Sequence, residues 1–597
     1  MKKYKFLGLL SVLMLGFLVG CGSDNSEPTM PELNISFDDM TFIADGTEKN
    51  LAITGDLPEG YSVVYENNGA TTYGDYYVTA NIMDGKDKEV AEYYAVLTID
   101  NPNNESFDEF LDEFFVWYLE GDQLSCNIFL DNPASFGLER YPAEWYSYSE
   151  TTAADIEEYK AEFDEVIAEL NAFDFNSLSK NQRTAYYELD YFLDYYDQYY
   201  EIDNVLLMNN SYVNQFGGYV ADFLSLVEAY TIRCKEDAQD IIDLVLSTKD
   251  SFNSYVEFAN VRTEAGFPFS DYTLNEMITY LDEVLTEGDN HYVIGALCAK
   301  LEATEYLTDD EKVAYCASLK DAFTNSFFVG VSDLKAGLEA LIGSLTSREG
   351  YWNRYAGGKD LFVLELEELL GVKDLDIEKY IEQLDSEIAD TSRAVSAYTN
   401  NLVSNYGITT YDELNALLAT QLICDDTPEK MVEFLRDFAT NIVPKLDNDP
   451  NIIIKEMDEA SAKVSNAVAY YTKSTIDKVA TEYITLNPTK LGDKNDVLGT
   501  LAHEGYPGHL FAFCFLKQSD LHPLLKVMTS TAHGEGWATY VEIALYKHIM
   551  DTTDNKKLKD CISYLYASSL AGFLLETRLD IGIHYEGMNK TKVSKYL

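Results

Sequence analysis

Hydrophobic and polar residues follow two different patterns along the chain, and the change falls near residue 100. Residues 32–100 alternate short apolar and polar runs of strand length. From Ser106 onward, apolar residues recur at helical spacing, as in 235–260. Apolar residues also fall on one predicted helix face in three further segments, 155–171, 377–395 and 428–441. The pattern predicts a small all-β sandwich over 32–100 and a large, mainly α domain over 106–597.

The predicted strands of 32–100 are separated by turn dipeptides, Asp45-Gly46 and Asn68-Gly69. The stretch from residue 45 to residue 80 resembles the immunoglobulin-like repeats of bacterial surface proteins. It contains no group of residues suited to catalysis. We therefore interpret 32–100 as a spacer or adhesive module, joined to the helical domain by the linker 101–105.

The N-terminus has the pattern of an export signal. A basic start at residues 2–5 precedes an apolar run that ends near Val19, which is too short to cross a membrane comfortably. The following Gly20-Cys21 resembles a bacterial lipobox, in which the cysteine is lipidated after cleavage. We expect a signal peptide over 1–20, and a lipidated Cys21 with a polar tether over 21–31. The alternative is an ordinary signal peptide with an incidental cysteine.

The charge of the chain excludes several partners. With 102 acidic and 43 basic residues, the formal net charge is -59. A field of this sign repels the phosphate backbone of nucleic acids and disfavours binding to anionic lipids through a basic surface. We therefore expect no nucleic-acid partner, and contact with the membrane only through the lipid anchor, on the extracytoplasmic face of a bacterial cell.

The cysteines after Cys21 are widely spread, without CxxC spacing. This distribution does not indicate a cysteine zinc site. We expect these residues to be mostly buried free thiols, and they are Cys126, Cys234, Cys298, Cys316, Cys424, Cys514 and Cys561.

Histidine is rare and clustered, which favours a metal site in the last hundred residues. Of seven histidines, all but His291 follow residue 500, and these are His503, His509, His522, His533, His548 and His584. We interpret His522 and His548 as ordinary packing or surface residues. The role of His533 stays open.

The first motif is His503-Glu-Gly-Tyr-Pro-Gly-His509. Zincins place two histidines four residues apart on one helix face, with glutamate after the first. Here Pro507 takes the second ligand position, and His509 would lie ~240° around a regular helix from His503. Because proline and glycine break helices, we expect Pro507-Gly508 to end the helix and bring His509 back to His503.

The second motif supplies carboxylates on another helix. Glu535 and Glu542 are seven residues apart, which places them on one helix face. A carboxylate would complete a catalytic zinc site of two histidines and one glutamate, with one open position. Glu535 is the favoured ligand, with Glu542 orienting a ligand histidine from behind. The reverse assignment stays open.

The third motif contains Arg578, Asp580 and His584. His584 could act as an electrophile near the reacting carbonyl. The guanidinium of Arg578 could hold a substrate carboxylate, since its fork matches one. The alternative for both is structural pairing with nearby acids.

The three motifs together resemble the bacterial family called domain of unknown function 885, over residues 106–597. Members are similar to zincins, largely helical and often exported, and they carry HExxPGHH, EGWAxYxE and DxGxH motifs. The resemblance implies roles for seven residues: His503, Glu504, His509, Glu535, Glu542, Asp580 and His584. The HExxPGHH motif ends in two adjacent histidines, and the second of these positions is occupied by Leu510 in this chain. Family sequences also continue past the last motif, so we expect a C-terminal segment to be absent.

The three motifs together predict a zinc-dependent hydrolase with one zinc per chain, and a metallopeptidase is the favoured class. Glu504 would be the general base, and Tyr506, Tyr540 or His584 would stabilise the oxyanion. Tyr506 is also a candidate for substrate binding. The expected substrate is a peptide or a small amide. The alternatives are a zinc amidase or esterase, and a surface binding lipoprotein that uses the zincin fold only as a scaffold. The presence of Glu504 favours an enzyme.

Overall fold

The computed structural model describes residues 33–148, 153–346, 350–440, 442–457, 462, 467–479 and 481–597. The predicted signal peptide, Cys21 and the tether lie outside these residues. The chain divides into two units, Met1–Pro102 and Asn103–Leu597, so the division falls within the predicted linker. Within the part of the chain that the structure describes, no helix is long and apolar enough to cross a membrane.

The described part of the first unit is a small β structure, as its alternating pattern predicts. One sheet has the order β2-β6-β5-β4 and the other pairs β1 with β3. Apolar side chains such as Val78, Leu97 and Ile99 form its core. Gly46 has a φ of 80°, in the left-handed region that turns require. The strands are β1 (Ile35–Ser36), β2 (Met40–Ile43), β3 (Thr54–Gly55), β4 (Ser62–Glu66), β5 (Gly74–Met83) and β6 (Glu89–Asp100).

The second unit is mainly helical, as predicted. Its described helices are α1 (Glu105–Leu119), α2 (Gln123–Phe129), α3 (Ala153–Leu170), α4 (Lys180–Glu201), α5 (Val205–Met208), α6 (Gly218–Ala229), α7 (Lys235–Glu264), α8 (Asp271–Glu287), α9 (Tyr292–Ala303), α10 (Asp309–Ala322), α11 (Phe328–Glu339), α12 (Tyr351–Arg354), α13 (Gly358–Leu370), α14 (Ile377–Tyr406), α15 (Tyr411–Leu418), α16 (Pro428–Ala439), α17 (Lys494–Glu504), α18 (His509–Gln518), α19 (Pro523–Val527), α20 (Thr531–Thr552), α21 (Lys556–His584) and α22 (Lys590–Tyr596).

A three-stranded sheet interrupts the helices between α16 and α17, which corrects the expectation of helix nearly throughout. It consists of β7 (Ile452–Glu456), β8 (Ala469–Thr472) and β9 (Glu482–Leu486), in the order β7-β9-β8. β7 runs parallel to the central strand, and β8 pairs with it antiparallel. β8 is therefore an edge strand.

One apolar core joins this sheet to the helices that carry the three motifs. It packs α16, α17, α18, α20 and α21 against β8 and β9. Each fully buried leucine contributes about 1.5–3 kcal/mol relative to an exposed one. The core therefore holds these elements together as one packed body. Its most deeply buried members include Leu435, Ile484, Leu498, Leu501, Leu510, Leu545 and Ile562.

The structure pairs two of the cysteines that we expected to be free. Cys298 on α9 and Cys316 on α10 form a disulfide, with their Cα atoms 5.3 Å apart. The two helices pack together, so residues 18 positions apart in sequence meet. Five cysteines of the described residues are free, as expected, and these are Cys126, Cys234, Cys424, Cys514 and Cys561.

Candidate metal and catalytic site

The helix that carries the first motif has a defined start and end. Asp493 caps α17, because its carboxylate accepts the backbone N–H groups of Asn495 and Asp496. The helix ends at Glu504, and Gly505 after it has non-helical backbone angles. A new helix starts at His509, so the predicted break is present.

The turn between the two helices is too tight for any side chain at Gly508. A Cβ atom there would lie 1.8 Å from the carbonyl oxygen of His503 and 2.3 Å from that of Ala502. Trp537 on α20 fixes the same turn, since its indole N–H donates to the carbonyl of Pro507 at 2.8 Å. The turn is therefore closely packed against the end of α17 and bonded to α20.

This turn brings the two predicted histidine ligands together. The rings of His503 and His509 have centroids 4.8 Å apart and are nearly perpendicular. Ligand atoms of His503, Glu504 and His509 all lie within 4.8 Å of one another. Two imidazoles and a carboxylate are a donor set that suits zinc.

Glu535 and Glu542 approach the histidines from α20, on different ring nitrogens. The carboxylate oxygens of Glu535 lie 3.4 Å from Nε2 of His503 and 3.5 Å from Nε2 of His509. Glu542 instead lies 3.7 Å from Nδ1 of His503. One carboxylate therefore faces both Nε2 atoms, while the other lies behind one ring.

Glu504 is positioned by the edge strand. One of its carboxylate oxygens, Oε2, accepts the backbone N–H of Tyr471 on β8 at 3.0 Å. No sequence pattern indicates this contact, because β8 lies more than thirty residues before Glu504.

Burial and neighbouring charges shift the pKa values of His503, Glu504 and His509. Burial raises the pKa of Glu504, although the charge of His503 and the N–H of Tyr471 oppose this rise. Burial alone would lower the pKa of His503, but its hydrogen bond to Glu542 and the surrounding carboxylates raise the pKa overall. Burial lowers the pKa of His509.

A cavity of about 330 Å³ opens beside His503 and Glu504. The N-terminal end of β8 forms one wall, and α17 and α20 form the others. Asp496 and Glu542 add carboxylates to this wall, so the cavity is acidic. Its lining residues are Val468, Ala469, Asp496, Gly499, Thr500, His503, Glu504, Glu542 and Tyr546.

A lysine that the sequence analysis does not single out lies just after the C-terminal end of β8. Lys473 follows β8 directly, and its ammonium donates to the hydroxyl of Thr529 at 3.1 Å. The positive charge of Lys473 contributes to the lowered pKa of His509.

The two predicted tyrosines do not contact this group in the described structure. Tyr506 is buried, its ring packs on Phe511, and the Arg436 guanidinium lies 4.8 Å from its centroid. This burial leaves little of its surface for substrate. Tyr540 is 57% exposed, and its ring contacts Trp537.

Arg578 takes part in structural pairing, one of the two alternatives weighed from the sequence. Its Nε donates to Asp385 at 2.8 Å, and its Nη1 donates to Glu586 at 2.6 Å. The side chain is buried. Because both edges of the guanidinium are occupied, the structure gives no support to a substrate-binding role.

Asp580 and His584 form a second cluster with α12 and α13. Nε2 of His584 lies 3.7 Å from Asp580, and its Nδ1 accepts the backbone N–H of Tyr351. The ring of His584 stacks on Phe362. Burial, with the nearby charge of Asp580, raises the pKa of Glu365 on α13 to about 7.

The remaining histidines near the C-terminus have structural contacts or exposed positions. His522 bonds Asp112 at 3.1 Å, and the ring of His548 packs on Phe438. These contacts agree with the packing roles expected for them. His533 is exposed.

A mainly helical unit thus places two imidazoles and three carboxylates beside the edge strand of a small sheet. The chain belongs to the family described as "Bacterial protein of unknown function (DUF885)", whose family model matches residues 134–597. This membership confirms the resemblance found in the three motifs.

Among solved structures, the fold is similar to "the putative lipoprotein from Colwellia psychrerythraea". The TM-score is 0.68 at 16% sequence identity, and the match covers 82% of this chain and 85% of that chain. At this identity the likeness shows the fold alone. A comparison with curated proteins gave no match.

Proposed function

We propose that this protein is a zinc-dependent peptidase in which Glu504 is the general base. The observation that carries the proposal is the helix break at Gly508, which brings an imidazole nitrogen of His503, one of His509 and a carboxylate oxygen of Glu504 within 4.8 Å of one another. Glu504 follows a ligand directly in sequence, as the base does in zincins.

His503, His509 and Glu535 are the proposed zinc ligands. Ligand atoms around a tetrahedral zinc lie roughly 3.4 Å apart, given zinc–ligand distances of about 2.0–2.2 Å. One carboxylate oxygen of Glu535 lies 3.4 Å from Nε2 of His503 and the other lies 3.5 Å from Nε2 of His509, so each distance is close to this value. Glu542, on the other nitrogen of His503, is suited to orient that ring. This arrangement favours Glu535 over Glu542 as the third ligand.

A zinc ion bound there supplies Lewis-acid chemistry, since it lowers the pKa of water and polarises a carbonyl group. The protein's own contribution is proton transfer by Glu504. Because the N–H of Tyr471 holds Oε2, the second oxygen of the carboxylate is the one suited to accept the proton of water. The same oxygen then returns the proton to the leaving amine.

The edge strand supports a peptide as the substrate. The backbone carbonyl of Val468 accepts the N–H of Asn487, which follows β9, so this carbonyl faces the sheet. The N–H of Tyr471 instead points away from the sheet and donates to Glu504. Since backbone groups alternate sides along an antiparallel strand, Ala469 also faces away from β9. An extended peptide can pair with the outward backbone groups of Ala469, while a small ester or amide cannot.

The sequence features of the N-terminus complete the proposal. We place the enzyme on the extracytoplasmic face of the cell, held by a lipid on Cys21. The β unit would be an immunoglobulin-like spacer in this arrangement.

The test measures bound zinc and peptide cleavage in the purified protein and two variants. Glu504→Gln should keep about one zinc per chain and lose at least ~100-fold in cleavage of a peptide library, since general bases contribute ~10²–10⁴-fold. A His503→Ala, Glu535→Ala double variant should lose the zinc.

Three outcomes would contradict the proposal. Cleavage retained by Glu504→Gln would exclude its role as base. Wild-type protein without zinc after metal addition would favour a binding lipoprotein with a zincin scaffold. Turnover of small amides or esters without cleavage of any peptide would favour the amidase or esterase alternative.

A further inference from the structure

The ammonium of Lys473 lies among the elements that form the candidate metal site. Lys473 follows β8, whose Tyr471 bonds Glu504. Its Nζ donates to Thr529, two residues before α20, which carries Glu535. Nζ also lies 6.0 Å from the ring centroid of Phe513 on α18, the helix that starts at His509.

Lys473 has no acidic partner among the residues that the structure describes. An ammonium carries three N–H donors, and Thr529 accepts one of them. This is unusual in a chain with 102 acidic and only 43 basic residues. The neighbouring Lys517, by comparison, bonds Ser474 at 2.8 Å and lies 3.9 Å from Glu482. The side chain of Lys473 is exposed, so its remaining donors can reach a ligand.

The two ends of β8 differ in charge, so a substrate that lies along this strand has a preferred direction. The N-terminal end, at Val468 and Ala469, lines the acidic cavity with Asp496 and Glu542. A substrate carboxylate would be repelled there. At the other end of the strand, Lys473 attracts one.

The spacing along the strand limits how much substrate fits between the reacting bond and Lys473. Tyr471 marks the level of Glu504, and Lys473 is two residues further along. Two residues of extended chain span about 7 Å. A peptide aligned with β8 can therefore place one or two residues between the cleaved bond and the ammonium.

We propose that Lys473 binds the free α-carboxylate of a peptide substrate, so that one or two residues are released from its C-terminal end. The cleaved bond is the peptide C–N bond, its carbonyl carbon gains the hydroxyl of water, and the amine leaves with the proton from Glu504. This inference rests on the proposed peptidase function and adds its substrate class, which is peptides with a free C-terminus.

The kinetic test compares an N-acetylated tetrapeptide with its C-terminal amide. The zinc-loaded wild type should prefer the free acid at least tenfold in kcat/KM. Lys473→Met should reduce that preference at least tenfold, mainly through KM, and Lys473→Arg should keep most of it. Lys490→Met, which changes an exposed lysine on the loop after β9, should keep the wild-type preference.

A binding test separates this inference from the proposed function. Calorimetry would measure binding of the same two peptides to Glu504→Gln, alone and with Lys473→Met. The free acid should bind at least tenfold more tightly than the amide, and this difference should disappear when Lys473 is replaced. Unchanged thermal unfolding of each variant checks that it folds.

The outcomes of these tests separate the carboxylate site at Lys473 from the proposed peptidase function. Equal binding and equal cleavage of acid and amide would overturn the carboxylate site, as would products cut at internal bonds by the wild type. Lysine-dependent binding of the acid without turnover of any peptide would support the carboxylate site and contradict the peptidase function.

Discussion

Replacing Gly508 with alanine tests whether the tight turn forms the proposed metal site. The new Cβ atom would lie 1.8 Å from the carbonyl oxygen of His503, whereas real Cβ contacts essentially never fall below 3.0 Å. The backbone must therefore move by more than 1 Å. Because the obstructing oxygen belongs to His503 itself, this movement separates His503 from His509.

The expected loss of zinc affinity follows from the tolerance of metal sites. Ligand distances in a zinc site vary by only about 0.2 Å, so a shift of more than 1 Å removes one ligand. Loss of a residue that merely orients a ligand already reduces affinity ~10–100-fold. We therefore expect Gly508→Ala to weaken zinc binding at least ~100-fold.

The assay is competition for zinc against a chromophoric chelator, with thermal unfolding measured in parallel. Gly536→Ala is the matched control, since a Cβ at Gly536 on α20 meets no atom within 4 Å. The control should keep wild-type affinity and gain up to ~1 kcal/mol of helix stability. Wild-type zinc affinity in folded Gly508→Ala would refute the argument that this turn positions the ligands.

Two further predictions concern stability and positioning. Burial raises the pKa of Glu365 to about 7, so between about pH 4.5 and 7 its carboxyl group is protonated in the folded protein but ionised in the unfolded chain. The free energy of unfolding therefore falls as the pH rises through this range. Glu365→Gln should therefore raise Tm by up to about 3 °C at pH 8 and by little at pH 4.5 in scanning calorimetry, and equal shifts at both pH values would contradict the burial argument. Trp537→Phe removes the hydrogen bond to Pro507, worth about 0.5–1.5 kcal/mol, and should weaken zinc binding up to ~10-fold in the chelator assay, whereas Tyr540→Phe should not. Equal affinities of the two variants would show that the indole N–H does not position the turn.

Features that depend on neighbouring residues could be predicted from the sequence. Pro507 and Gly508 disfavour continuation of a helix, so the sequence predicts the break between α17 and α18. The spacing of Glu535 and Glu542 likewise placed both on one face of α20, and both face His503.

The small sheet was missed because its strands are short and depend on distant partners. β9 does alternate, with Glu482, Ile484 and Leu486 buried and the residues between them half-buried, and this was the available signal. Nine residues separate β8 from β9, and the helix-rich context of this part of the sequence favours a helical interpretation. Nothing local indicated that Tyr471 would meet Glu504.

Long-range partners also explain why the role of Arg578 could not be settled from the sequence. A guanidinium fork suits a substrate carboxylate and a protein carboxylate equally well. Its partner Asp385 lies 193 residues away, on α14. The pairing of Cys298 with Cys316 similarly depends on how α9 and α10 pack.

The contact between Glu504 and Tyr471 has a consequence for solubility. An edge strand exposes unpaired N–H groups that can pair with another protein molecule and lead to aggregation. In β8, the carboxylate of Glu504 occupies one of these donors, so the strand is partly covered by a charged group. Any substitution that removes this carboxylate, such as Glu504→Ala, uncovers the edge, and such a variant should associate more readily than Glu504→Gln at high protein concentration.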